Sequence, residues 1–232
     1  MEGFGYFVGV ILPPITVLVF LGGLAYRFLE WRKLTMPKTT LYPAPEPGTD
    51  TFWAVFKATF FSPGLFKADR ALWTGAWVFH AALALILIGH IRVGMDFPAL
   101  WAAAGIDADI MSATVGTTAG VVILLATLFL TYRRFALSRV QEISQGGDYL
   151  ALFLLLAVIL SGNAMRFQGH FDLNLPRGYF AAFIRLQGPL PPLNGWFLIH
   201  FLLGQILFLY LPFSKLLHLG GIFVTQTALQ RR

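Results

Sequence analysis

Cysteine is missing from all 232 residues. Its absence excludes disulfides, thiolate-bound iron–sulfur clusters and covalently attached c-type haem within this chain, so any redox centre needs other ligands. Charge is also scarce, with 12% of residues charged against 57% hydrophobic. At a mean hydropathy of +0.70, no ordinary water-facing surface can be assembled, and the composition specifies an integral membrane protein. There is no glycine loop of the G-x-x-x-x-G-K-[ST] type and no internal repeat, which argues against a nucleotide-driven pump.

Five apolar stretches meet the bilayer requirement of about 20 residues per helical span. They run from Tyr6 to Tyr26, Leu72 to Ile91, Ser112 to Tyr132, Tyr149 to Met165 and Trp196 to Lys215. The fourth is the shortest, and Pro212 interrupts the fifth. The expected fold is an all-α integral membrane bundle of five transmembrane helices, a single membrane domain over residues 1–232. Helices are expected because a spanning segment must satisfy its own backbone hydrogen bonds, and these runs are too long for barrel strands. No cleavage-like site follows the first stretch and Glu2 precedes it, so it reads as a retained span rather than a signal peptide.

Lys and Arg set the orientation. The segments after spans one, three and five hold Arg27, Arg32, Lys33, Lys38, Lys57, Lys67, Arg70, Arg133, Arg134, Arg139, Lys215, Arg231 and Arg232. The other side holds only Arg92, Arg166, Arg177 and Arg185. Positive residues mark the cytoplasmic side, so the N-terminus is expected outside and the C-terminus in the cytoplasm of a multi-pass inner-membrane protein. The pI near 9.8 follows from this asymmetry and from anionic lipid, and no nucleic-acid partner is expected. Residues 29–71 form a cytoplasmic or interfacial connection, extended by the prolines of "LYPAPEPGTD". Its second part, "TFWAVFKATFFSPGLFKADR", mixes aromatics with Lys57 and Lys67 and reads as an interfacial helix or a docking surface for another subunit. Residues 166–195 form an external loop ending in "GPLPPLNG", placed to cover a site near the outer surface.

The chain has five histidines. His80 and His90 fall in the second stretch, and His200 and His218 at the fifth. An ionisable side chain in a bilayer must be hydrogen-bonded, neutral or ligated. A lone one is more often an imidazole bonded to a neighbouring helix; four on two helices are harder to dismiss. The second helix runs outward and the fifth inward, which puts His90 and His200 near the outer surface and His80 and His218 deeper. Two imidazoles from facing helices at each depth are what bis-histidine ligation of haem b requires. Small neighbours would admit the flat macrocycle: Gly89, Ala81, Ala82 and Gly204. The spacings do not match, however. Ten residues cover about 15 Å of helix and eighteen about 27 Å, so tilt, crossing or a bend at Pro212 must absorb the difference.

"FHAALALILIGH" and "LIHFLLGQILFLYLPFSKLLH" resemble the histidine segments of the cytochrome b (gamma) subunit family of respiratory nitrate reductase. The likeness extends to "ILPPITVLVFLGG" and to "YRRFALSRVQEISQGGDYLALFLLL", and so covers most of the chain. The resemblance implies two b haems, an outer one on His90 and His200 and an inner one on His80 and His218. It also implies quinol oxidation near the outer haem, with electrons passing to a cytoplasmic iron–sulfur partner. The external end of span three, "IDADIMSATVGTTAG", lacks the lysine that the family places near its quinol site. The long aromatic and basic connection resembles instead the cytochrome b subunits of the sulfite reductase-associated transmembrane complex and of methanogen heterodisulfide reductase. That likeness implies menaquinone as exchangeable substrate, a heterodisulfide reductase-like iron–sulfur partner, and further membrane and periplasmic subunits.

Arg92, two residues after His90, is the foremost outer candidate for a haem propionate; Arg166, Arg177, Arg185, Arg133, Arg134 and Arg139 are others. Contact with lipid headgroups is the commoner role for each. His170 and Asp172, in "FQGHFD", are candidate proton acceptors. Two other classes remain open, a haem-free membrane anchor and a proton-coupled transporter with the histidines as relay. The second usually shows repeated halves and broken mid-membrane helices, which this sequence lacks.

Overall fold

The computed structural model describes residues 2–33, 51–94, 96–168, 172–218 and 220–221. Regular structure among them is helical throughout. Five helices are long and apolar enough to cross a membrane: Glu2–Lys33, Arg70–Gly94, Ala108–Ala136, Gly146–Phe167 and Gly195–Phe213. At four of the five, polar residues at the start complete backbone hydrogen bonds. Asp69 Oδ1 accepts from Leu72 N at 2.9 Å before the second span. Asp107 accepts from Asp109 N and Ile110 N before the third, Gln145 and Asp148 form a reciprocal capping box at the fourth, and Asn194 accepts from Phe197 N at the fifth. These contacts satisfy donors that the first helical turn leaves free.

Successive spans alternate in direction, so Glu2 and the end of the fifth span lie at opposite faces, here the N-terminal and C-terminal faces. The second span packs along the third, the third on the fourth, the fourth on the fifth and the fifth on the first. Phe79, Ala82, Ile123 and Ala126 form one apolar core, joined by Leu155 and Ile159; Val8, Phe197 and Leu198 form another. Around them the usual arrangement is inverted. Large apolar side chains such as Leu18, Leu87, Ile88 and Leu125 are exposed, while Thr16, Thr127, Ser161, Asn163 and Gln205 are buried. That is the pattern of a bundle solvated by hydrocarbon, where polar side chains bond between helices.

The first span widens into a π segment over Phe7–Ile11. Pro13 and Pro14 have no N–H to return to the preceding turn. The carbonyls this leaves are taken by side chains: Val8 O accepts from Gln205 Nε2 at 2.9 Å and Gly9 O from the Tyr179 hydroxyl at 2.6 Å. Tyr179 belongs to a helix at Asn174–Ile184, so the connection between the fourth and fifth spans carries a helix where an open loop was expected. Burial pushes the Tyr179 phenol up to about 12. At the C-terminal face, the helices Thr51–Phe61 and Pro63–Ala68 carry an aromatic cluster of Phe52, Trp53, Phe56 and Phe60.

Candidate functional site

The histidines meet across the bundle in two pairs. The rings of His90 and His200 have centroids 6.2 Å apart with planes at 32°. Nearer the C-terminal face, those of His80 and His218 lie 5.7 Å apart at 89°. The second and fifth spans make no sustained backbone approach to each other, so these imidazoles meet across the interval between them. A Cβ at Gly89 or Gly204 would touch nothing within 4 Å, so both glycines face open space.

Backbone geometry selects the nitrogen that each ring offers. Nδ1 of His80 lies 2.7 Å from the Ala76 carbonyl oxygen, and Nδ1 of His90 lies 2.7 Å from that of Ile86. Nδ1 of His218 lies 3.1 Å from the Lys215 carbonyl oxygen. A carbonyl only accepts, so Nδ1 is assigned the hydrogen and Nε2 keeps its lone pair. At His200 the acceptor is relayed: Nδ1 is 3.0 Å from Ser161 Oγ, which donates to the Val158 carbonyl at 2.9 Å. The His200 ring rests on Gly162, where a Cβ would stand 3.1 Å from Cε1. Ser161 and Gly162 were not singled out from sequence, although "LSGNAMR" is an unusually polar run for an apolar span.

The chemistry of this donor set can be tested against a metal. Metal–imidazole bonds of about 2.0–2.1 Å on opposite sides of one ion place the ring centroids about 6 Å apart. Both pairs fit that separation. Among the described residues no group of three or more His, Asp or Glu side chains converges to hold a bare ion. Two imidazoles at each depth would suit an ion whose remaining ligands arrive with it, as in the iron of a porphyrin.

The unequal spacings are reconciled at Pro212. The α-helix stops at Tyr210, a 3-10 turn covers Leu211–Phe213, Ser214 is extended, and a second turn at Lys215–Leu217 presents His218. The expected bend is therefore a helix end. Pro212 is buried on Gly23 of the first span, where a Cβ would come within 2.6 Å of the proline Cβ, and its carbonyl accepts from Arg27 Nε at 2.9 Å. The eighteen-residue interval is not traversed as one helix.

Other candidates take different places. Arg92 is buried, donating to both Asp96 carboxylate oxygens at 3.1 and 3.2 Å, to Asp109 at 3.3 Å and to the Ala108 carbonyl at 2.6 Å. Its fork thus clamps the second span to the start of the third rather than being free for a propionate. Arg177 joins the same carboxylate at 2.8 Å. The Arg92 hydrogen bonds, with those from Trp101 and the Phe97 amide, hold the Asp96 carboxyl down at about 2. Arg133 and Arg139 share Asp69, and Arg134 donates to Ser144. The Leu72 amide, foremost, and Arg133 hold the Asp69 carboxyl below its ordinary value. Asp172 accepts from Asn174 N at the head of the helix Asn174–Ile184, and His170 lies outside the described residues.

Fold and site together define a multi-pass helical membrane protein with paired imidazoles at two depths. The family model of the nitrate reductase gamma subunit matches residues 55–231, and the chain belongs to that family. It is 28% identical to the Hdr-like menaquinol oxidoreductase cytochrome b-like subunit of Archaeoglobus fulgidus, over 96% of this chain and 79% of that protein. The corresponding subunit of Archaeoglobus profundus is 29% identical, over 93% of this chain and 76% of its own length. The nitrate reductase gamma chain of Bacillus subtilis is 27% identical, over 91% of this chain and 89% of its own length.

Proposed function

We propose that the protein is a dihaem cytochrome b subunit that exchanges electrons between menaquinol near the outer face and a cytoplasmic heterodisulfide reductase-like iron–sulfur subunit. One observation carries this reading: two imidazole pairs at two depths, with Nδ1 of each ring engaged by a carbonyl or hydroxyl oxygen so that Nε2 keeps its lone pair. His90 and His200 would hold one haem b, and His80 and His218 the other. Bound there, the haem irons would supply one-electron carriers at two depths of the membrane. The chain contributes the rest. Backbone carbonyls and Ser161 fix the ring tautomers, apolar spans exclude water, and the capped helices keep both pairs in place.

The distribution of Lys and Arg supports an external N-terminal face, with His90 and His200 on that side. The names of the Archaeoglobus relatives support menaquinol as donor and a heterodisulfide reductase-like partner. The aromatic, basic segment 51–68 favours a complex of the sulfite reductase-associated kind, in dissimilatory sulfur metabolism. A second reading, a nitrate reductase gamma subunit oxidising quinol, draws on the family match and the Bacillus relative. A reduced-minus-oxidised spectrum of the purified protein tests the proposal, with a b-type α-band expected and its absence decisive against it. His90→Ala or His200→Ala should remove one haem signal and spare the other; loss of neither refutes the pairing. A menaquinol analogue should reduce the haems without any cytoplasmic donor.

A further inference from the structure

The arginines near the two faces differ in what they already hold. Arg92 and Arg177 spend their guanidinium groups on the carboxylate of Asp96, Arg133 and Arg139 on Asp69, and Arg134 on Ser144. Arg166, near the end of the apolar fourth span, is exposed. Among the described residues no carboxylate or carbonyl oxygen pairs with its guanidinium. That group lies instead in a notch of the third span, where a Cβ at Gly116 would stand 2.7 Å from Nη2.

The position of this cation is informative. Gly162, Asn163 and Arg166 share one face of the fourth span, because residues three and four apart stack on a helix. Gly162 carries the His200 ring. Asn163 is buried, and its amide donates to the Gly120 carbonyl at 2.9 Å. The Arg166 guanidinium lies against Gly116 of the third span, one helical turn beyond the Asn163–Gly120 contact and beyond the Gly162 on which the His200 ring rests. A guanidinium beside a membrane-embedded site requires an anion, and its planar fork matches a carboxylate.

We infer that Arg166, rather than Arg92, is the anion-pairing residue of the His90/His200 site, its guanidinium holding a carboxylate of the haem ligated there. The inference rests on the haem reading above. Pairing through Arg166 makes it a positioning and tuning residue. Its positive charge favours the electron-rich reduced state of the site that it borders, and Gly116 is small so that the guanidinium can seat against the third span.

The test is a redox titration of the purified wild type, Arg166→Gln and Arg166→Lys, following each haem band by its spectrum. A unit charge acting through an effective dielectric of about 20 over about two helical turns shifts a one-electron equilibrium by on the order of tenfold, which is about 59 mV. Arg166→Gln should lower the potential of the band that His90→Ala abolishes by that order. The band lost in His80→Ala should stay in place, which also shows that the variant is folded. Arg166→Lys should recover much of the shift. An unchanged potential in Arg166→Gln with both haems retained overturns the inference. Loss of bound phospholipid phosphorus without a potential shift also overturns it, and assigns the guanidinium to a lipid headgroup. A wild type without a b-type band defeats the haem reading itself, a separate result.

Discussion

Ser161 fixes the His200 imidazole through one hydroxyl, which accepts from Nδ1 and donates to Val158. Such partners orient a ligating ring and raise its basicity, and their loss typically costs about 10–100-fold in metal affinity. Ser161→Ala should weaken haem retention at His90/His200 toward the low end of that range, because the Val158 carbonyl still lies 3.2 Å from Nδ1. Transfer of haem to an apo-globin acceptor measures this, and equal loss from both sites would contradict it. Asp96 acts at the same scale through charge. Its carboxyl is held at about 2, below the ordinary value. A lowered folded value means that the ionised form contributes stability present above about pH 4 and lost as pH falls toward 2. Asp96→Asn should therefore destabilise the protein near neutrality by about 1.5–3 kcal/mol, the range for charged hydrogen bonds. In denaturation midpoints taken down to about pH 2, the gap from wild type should close. A gap independent of pH would count against the ionic clamp.

At the scale of elements, the break in the fifth helix matters most. Pro212 cannot return an N–H to the Phe208 carbonyl, so the α-helix ends, and Gly23 and Arg27 of the first span hold the redirected chain. Without that redirection His218 would ride about 12 Å beyond Tyr210 on a continued helix. Pro212→Ala, and Gly23→Leu by displacing the proline, should each abolish the spectral signal of the His80/His218 pair and leave that of His90/His200. Retention of both signals in both variants would show that the helix end is dispensable. The π segment of the first span follows the same logic. Pro13 and Pro14 withhold two donors, and Gln205 and Tyr179 from other elements supply replacements.

For the whole molecule, five alternating apolar spans put Glu2 and the end of the fifth span at opposite faces of the bundle. The absence of cysteine gives a labelling experiment no background. Gly3→Cys, on the N-terminal face, should react with an impermeant maleimide in intact cells. Ser138→Cys, exposed on the opposite face, should react only after lysis. The reverse pattern would invert the orientation drawn from Lys and Arg. The four arginines and three carboxylates at Arg92–Asp96–Arg177–Asp109 and Arg133–Asp69–Arg139 tie helix ends together at both faces, which suits the rigid scaffold that the proposed electron transfer needs.

The number of spans and their approximate limits were legible in the sequence. Hydrocarbon obliges each segment to satisfy its own backbone, so span formation depends on a continuous local run. The histidine spacings were legible for the same reason. What the tertiary structure decided were the contacts between distant residues. Arg27 and Pro212, 185 positions apart, turn the chain so that an eighteen-residue interval can face a ten-residue one. Arg92 appeared free for a cofactor because its pairing with Asp96 and Asp109 depends on how the connection between spans two and three folds back on it, and Ser161 drew no notice because its His200 partner lies on another helix. Hydrophobic length is a property of one segment. Where a polar group finds its partner depends on the packing of all five.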